Sequence, residues 1–230
     1  MHGFSQWLGQ LRLDSIWMFL VTAASCLVCI TFHECCHALA AFWLGDPTAK
    51  RAGRLSLNPI RHIDPVGLVM LAVVKFGWAK PVPVDMRRFR RPKAGMALTA
   101  LAGPMGNLVL TALALVLHGG CYFYEMYYES ALWGWIDTFF LYTAILSTGL
   151  AVFNLLPVPP LDGSKVLAAV LPPKYYLWLM RYERWGMFLL AGLLLLGVLD
   201  PLLTAMRTGV LELLEPLSRG AFDALVSIYF

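Results

Sequence analysis

The sequence carries little charge for its length. Only 14% of its 230 residues are Asp, Glu, Lys or Arg, whereas 59% are hydrophobic. A soluble globular domain has about 25% charged residues, so this chain lacks the polar surface that would keep it dissolved. It also lacks a disulfide framework, since four of its five cysteines lie in a single apolar run. The composition therefore excludes a soluble enzyme and predicts a membrane protein.

Long uncharged runs predict an all-α polytopic membrane protein with about four spanning helices of about 20 residues each. A shorter apolar run among Gly and Pro predicts a re-entrant piece next to a short β-hairpin region. The C-terminal residues are amphipathic and are expected to lie on the membrane surface or to pack against the bundle. The four long runs are Ile16–Phe32 (continuing to Gly45), Ala94–Leu117, Thr138–Leu161 and Trp185–Leu199, and the short run is Val66–Val74.

No internal repeat or linker divides the sequence. We therefore expect one membrane-embedded domain over residues 1–230, with a motif core over about residues 15–170 and accessory helices over 184–230. The basic residues predict its orientation, because 11 of the 18 Lys and Arg residues fall between Lys50 and Lys93 and none falls in Gly119–Asp137. Basic residues beside a span mark the cytoplasmic side more often than a nucleic-acid site. The pattern predicts a cytoplasmic segment 46–93, an outside loop 119–137 and no nucleic-acid partner.

The stretch HECCH, residues 33–37, places two histidines and a glutamate in the first apolar run. Ionisable side chains at membrane depth cost roughly 2.5–3.5 kcal/mol each, so they indicate a function. His33 and His37 are one helical turn apart, which allows both imidazoles to bind one zinc ion. Glu34 points about 100° away from His33, where it can act as a base on a metal-held water.

The residues leave alternatives for the third ligand. Cys26 and Cys29 lie within about 40° of His33 around the helix, so a thiolate ligand is conceivable. Ligands on successive turns of one helix would, however, crowd a tetrahedral site and leave no position for water. Asp162 lies between two apolar stretches, where a metal is a strong partner for a buried carboxylate. Because three prolines precede it, the competing interpretation for this Asp-Gly pair is a turn.

Together these motifs resemble the site-2 protease family of intramembrane zinc metalloproteases. HECCH matches the family's H-E-x-x-H, AGPMGN at 102–107 matches its G-P-x-x-N, and 154–163 matches its N-x-x-P-x-x-x-x-D-G. The segments GRLSLNPIRHIDPVG and GWAKPVPV are similar to its membrane-associated strand and hairpin region. No PDZ or CBS module is recognised, so the chain resembles a small version of the family. The Cys-Cys pair inside HECCH departs from the small or aliphatic pair usual there.

The resemblance implies a zinc-dependent intramembrane endopeptidase in the bacterial cytoplasmic (inner) membrane that cuts transmembrane segments of single-span substrates near the cytoplasmic side. Three protein ligands leave an open position for water, whose pKa zinc lowers to about 7. An extended substrate is expected to pair with edge strands around residues 52–58 and 79–85. The implied site is Glu34 as the catalytic base, His33, His37 and Asp162 as zinc ligands, and Asn107 and Asn154 as substrate-binding residues.

A non-catalytic scaffold or a metal transporter that keeps the metal motif is the alternative. A transporter is expected to place polar groups along a path across the bilayer, whereas here they gather near the predicted cytoplasmic side. A scaffold would not need both Glu34 and Asp162. Three further residues have two interpretations. Asn107 could instead make a polar contact between helices. His62 and Asp64 could bind or gate, although RHIDP favours a turn.

Overall fold

A computed structural model describes residues 16–64, 67, 79–172 and 183–230. The described part is mostly helical, as predicted. Three of its helices, α1, α3 and α4, are long and apolar enough to cross a membrane, and α6 with α7 forms a pair bent by 84° that gives a fourth candidate. The helices are α1 (Ile16–Trp43), α2 (Thr48–Arg51), α3 (Pro92–Tyr128), α4 (Ala131–Asn154), α5 (Asp162–Val170), α6 (Glu183–Leu195) and α7 (Asp200–Tyr229).

Helix α1 ends where the chain leaves the last apolar turn. Gly45 has a φ of 102° and its N–H donates to the carbonyl of Phe42, while the N–H of Asp46 donates to the carbonyl of Ala41. These two bonds satisfy the last carbonyls of the helix and require a residue that tolerates the left-handed region. The turn places Asp46 directly after the helix that carries the two histidines.

Residues 119–137 were predicted to form a loop, and this prediction is wrong because most of them are helical. Helix α3 continues to Tyr128 and α4 begins at Ala131, so that only Glu129 and Ser130 connect them. Glu129 has a φ of 48°, which makes the tight reversal. The sequence suggested a loop because polar and aromatic residues interrupt the apolar run there, but helices that extend beyond the hydrocarbon tolerate such residues.

The predicted β-hairpin region is not confirmed. Within the described ranges, residues 52–58 and 79–85 form no strand, and one isolated antiparallel bridge joins Ile63 to Ala79. Prolines at 81 and 83 lack the N–H that a strand ladder needs, which limits pairing here. The predicted re-entrant run 66–74 lies outside the described residues apart from Gly67.

The described residues form two compact units. One comprises 16–29, 107–153 and 189–230. In it, hydroxyl groups bridge α3 and α4: Ser147 donates to the carbonyl of Asn107 at 2.8 Å, and the Thr111 and Thr148 hydroxyls lie 3.1 Å apart. The other comprises 30–64, 67, 79–106, 154–172 and 183–188 and contains His33 and His37.

Helix α7 packs parallel to α3 within the first unit. Leu214 packs against Ala114 and Leu115, and aromatic contacts link later residues of α7 to later residues of α3. Glycine makes the closest approach possible, since a Cβ on Gly119 would lie 2.0 Å from the carbonyl oxygen of Ser218. Small residues permit such close helix packing in membranes. The amphipathic C-terminal segment therefore packs against the bundle.

Candidate metal centre

The two histidines of HECCH face the same point from α1. Both are buried, and their Nε2 atoms lie 3.1 Å apart with the rings edge to face. The helical spacing of four residues produces this arrangement, because residues one turn apart share a helix face.

Asp162, at the start of α5, brings a carboxylate oxygen to the same point. Its Oδ2 lies 3.2 Å from Nε2 of His33 and 3.0 Å from Nε2 of His37, and the residue is itself buried. Ligands about 2.0–2.1 Å from a tetrahedral zinc ion are roughly 3.3–3.4 Å apart, so the observed spacing is close to that of a zinc site. These three residues form the one such cluster among the described residues, and it includes no cysteine. The donor set therefore fits zinc.

The cysteine alternative does not match this geometry. Cys29 is buried, and its thiol donates to the carbonyl of Thr143 at a distance of 3.5 Å. Its sulfur therefore has a backbone partner on α4. The predicted third ligand Asp162, and not a thiolate, is the residue that approaches the histidines.

Two glycines make room for the cluster. A Cβ on Gly103 of α3 would lie 2.4 Å from Cε1 and 2.5 Å from Nε2 of His37, and 2.7 Å from Cε1 of His33. Gly163 follows Asp162, and a Cβ there would lie 2.2 Å from the carbonyl oxygen of Leu155. Side chains at either position would displace the histidine rings or the aspartate. The glycines of G-P-x-x-N and D-G thus have a steric role that the sequence alone did not reveal.

Hydrogen bonds orient one imidazole more firmly than the other. Nδ1 of His37 lies 2.7 Å from the carbonyl oxygen of Thr99 and donates to it, which leaves the Nε2 lone pair directed at the cluster. This is the usual arrangement of a metal-binding histidine. Nδ1 of His33 is buried and has no hydrogen-bond partner among the described residues.

The other predicted site residues occupy different environments. Glu34 is half-buried and follows His33 on α1, so it lies beside the cluster without being part of it. Asn107 is fully buried on α3, and neither atom of its side-chain amide has a partner among the described residues. Asn154 is half-buried and is the last residue of α4. His62 and Asp64 make local bonds, to the carbonyl of Ser56 and from the N–H of Gly67, as a turn does.

Buried charges anchor segment 79–85 to the residues after α1. The carboxylate of Asp46 is fully buried and accepts from the N–H and hydroxyl of Thr48 and from the N–H of Asp85, at 2.7 Å for the last. Although burial opposes ionisation, these hydrogen bonds and the nearby Arg88 hold the pKa of Asp46 below its usual range. Arg54, also buried, donates to the carbonyls of Lys80 and Pro81.

Between these two anchors lie backbone groups that have no partner among the described residues. The peptide groups of Val82 and Val84 make no hydrogen bond within the described part of the chain. A short extended edge with unsatisfied N–H and C=O groups can accept another extended chain.

A buried set of two imidazoles and a carboxylate, in a chain of membrane-length helices, is typical of a metal-dependent membrane enzyme. The model of peptidase family M50 matches residues 118–174. A Bacillus subtilis protein, "Putative zinc metalloprotease YwhC", is 40% identical over 191 residues, which cover 81% of this chain and 87% of that protein. The chain belongs to peptidase family M50, the site-2 protease family.

Mycobacterial relatives agree with this membership. "Putative zinc metalloprotease Rip2" of Mycolicibacterium smegmatis is 29% identical over 82% of this chain and 71% of that protein. The protein of the same name from Mycobacterium tuberculosis H37Rv is 31% identical over 80% of this chain and 70% of its own length. No solved structure matches the chain.

Proposed function

We propose that this chain is a zinc-dependent intramembrane endopeptidase of the site-2 protease type. Its substrate is the transmembrane segment of a single-span protein, cut near the cytoplasmic side of the bacterial cytoplasmic membrane. The observation that carries the proposal is the convergence of His33, His37 and Asp162 on one point, with ligand atoms 3.0–3.2 Å apart. Membership of family M50 and relatives that bear the name of zinc metalloproteases support zinc as the cofactor.

Each site residue has a distinct task in this proposal. His33, His37 and Asp162 would hold the zinc, and a bound zinc ion would supply Lewis-acid activation of the substrate carbonyl and of water. Glu34 accepts a proton from the attacking water and delivers it to the leaving nitrogen. The carbonyl of Thr99 keeps the proton of His37 on Nδ1, so that Nε2 stays available as a ligand.

The substrate must be extended to be cut, because a helical peptide bond is shielded by its own hydrogen bonds. An extended segment needs backbone partners, and the peptide groups of Val82 and Val84, which have no partner among the described residues, can supply them. Asn107 and Asn154 are further proposed contacts. The unpartnered amide of Asn107 supports this role, since a buried polar group without a partner is costly at membrane depth.

The decisive experiment replaces Glu34 with Gln in the purified, zinc-loaded protein. Gln matches Glu in size and can hydrogen-bond water but cannot accept its proton, so cleavage of a reconstituted single-span substrate should fall by about 10²–10⁴-fold while zinc content is retained. Glu129→Gln, in the exposed connection between α3 and α4, is the matched control and should cleave normally. A scaffold or transporter would keep its function in Glu34→Gln. Undiminished cleavage by that zinc-loaded variant would refute the proposed mechanism.

A further inference from the structure

A lysine next to the cluster contacts the aspartate ligand. Lys165 lies one turn after Asp162 on α5, and its Nζ is 3.2 Å from Oδ1 of Asp162. The lysine side chain is 27% exposed, whereas the aspartate side chain is 9% exposed. The ammonium of Lys165 thus contacts the buried carboxylate while its side chain stays partly exposed.

The two oxygens of Asp162 have separate partners. Oδ2 faces Nε2 of both His33 and His37, whereas Oδ1 faces the ammonium of Lys165. If both oxygens turned toward an ion held by the histidines, Oδ1 would have to share its lone pairs between that ion and the ammonium of Lys165. The lysine therefore favours a carboxylate that offers a single oxygen.

This contact differs from an ordinary ion pair on a helix surface. Exposed pairs three or four residues apart contribute little to stability and do not fix the orientation of either side chain. Here the carboxylate is buried against two imidazoles, so its rotation decides how many oxygens reach the ion. Hydrogen-bond partners of ligands commonly set ligand orientation in this way.

We infer that Lys165 is a positioning residue that holds Asp162 to one-oxygen coordination of the metal and so preserves the open position that catalysis needs. The inference rests on the proposed ligand set. It assigns Lys165 no contact with the substrate. A catalytic metal site keeps a coordination position free, whereas a carboxylate bound through both oxygens would occupy it.

The test uses cobalt(II) in place of zinc, because four-coordinate cobalt absorbs visible light more strongly than five-coordinate cobalt. The full-length protein in detergent is loaded with Co²⁺ as the wild type and as Lys165→Met, Lys165→Gln and Lys165→Arg. We expect weaker visible bands in the Met and Gln variants and bands like those of the wild type in the Arg variant. Zinc-loaded Met and Gln variants should lose about 10–100-fold in cleavage rate.

A matched control removes a different cation, Lys93 near the start of α3, which contacts the chain just beyond α5. Nζ of Lys93 donates to the carbonyl of Leu171, just beyond the end of α5, at 3.1 Å. Lys93→Met should therefore leave the cobalt spectrum unchanged. Wild-type spectra in both Lys165→Met and Lys165→Gln would overturn the role of Lys165 while leaving the ligand set standing. Failure of the wild type to bind Co²⁺ would instead refute the ligand set, and this inference with it.

Discussion

Gly103→Ala is the change that tests most directly how the metal centre is assembled. Gly103 lies on α3 against the edges of both imidazoles, and an alanine Cβ would come within 2.4–2.7 Å of three ring atoms. Ordinary contacts between such atoms are about 3.5–4.0 Å, so the rings or α3 must move by about 1 Å.

The expected loss follows from how little a metal site tolerates. Overpacking of this kind typically costs about 1–3 kcal/mol of stability. Ligand distances in a metal site are held to within about 0.2 Å, which a displacement of about 1 Å exceeds several-fold. A misplacement of about 1 Å can lower a catalytic rate by about 10²-fold. We therefore expect Gly103→Ala to lose zinc affinity and at least this factor in cleavage rate.

Two other glycines provide controls. A Cβ on Gly106, also on α3, would lie 2.3 Å from the sulfur of Cys36 and would not meet a histidine ring. Gly106→Ala should lower the melting temperature while leaving zinc affinity much closer to that of the wild type, and Cys36→Ala in the same protein should restore stability. A Cβ on Gly192, in α6, would meet no atom of the described residues within 4 Å, so Gly192→Ala should keep zinc affinity and should not lower the melting temperature.

The measurements are the zinc dissociation constant, by competition with a chelator, and the melting temperature in detergent. Zinc affinity and melting temperature should separate: Gly103→Ala should lower both, whereas Gly106→Ala should lower mainly the melting temperature. Wild-type zinc affinity in Gly103→Ala would refute the argument that the absent side chain creates the space for the imidazoles. Equal loss of zinc in both variants would show that general helix displacement, rather than local crowding, governs the site.

Three further predictions concern the ligands, the orientation and the segment after α1. Alanine at any of the three proposed ligands should lower zinc content by elemental analysis, whereas Cys29→Ala should not; full zinc without the aspartate would remove it from the ligand set. A cysteine at residue 88 should react with an impermeant reagent only from the cytoplasmic side and one at 125 only from outside, in a cysteine-free background; the reverse pattern would overturn the topology. Asp46→Asn should lower stability by about 1–3 kcal/mol at pH 7, because a buried charged acceptor is lost. Since the folded pKa of Asp46 is depressed, its contribution is present above the unfolded pKa and disappears as pH falls through the folded value. The difference between the variant and the wild type in thermal melts should therefore shrink in acid, and a difference independent of pH would contradict this account.

The sequence predicted the helical class and the three residues that the structure brings together as a candidate metal site. Apolar runs of spanning length predict helices, and the spacing of His33 and His37 places them on one helix face whatever surrounds them. Asp162 was predicted from the cost of a buried carboxylate at membrane depth. The structure brings its Oδ2 within hydrogen-bond distance of both imidazoles.

Features that depend on contacts between distant segments were not predictable in this way. The steric role of Gly103 requires knowledge that α3 crosses α1 at the histidines. The hydrogen bond from His37 goes to the backbone carbonyl of Thr99, so the residue type at position 99 could not indicate it. Lys165 had a signal, since it lies three residues after Asp162, but the pattern alone could not show which oxygen it contacts. The expected strands at 52–58 and 79–85 were not confirmed. Alternating residues predict a strand, but Pro81 and Pro83 lack the N–H groups that pairing with a neighbouring strand needs.

The glycines on α3 connect membrane packing with assembly of the site. In a bilayer, lipid tails are as apolar as the helix surfaces, so helices associate mainly through close packing and polar contacts rather than by escaping from water. Gly103 and Gly106 allow this close approach on one turn of α3, the first against the histidine rings and the second against Cys36. The cysteine pair within HECCH, which departs from the usual small or aliphatic residues, is thus matched by a glycine on the facing helix. Because the same approach that packs the two helices also creates the space for the imidazoles, a larger residue at 103 must weaken helix packing and metal binding together, whereas one at 106 can be compensated by a smaller residue at 36.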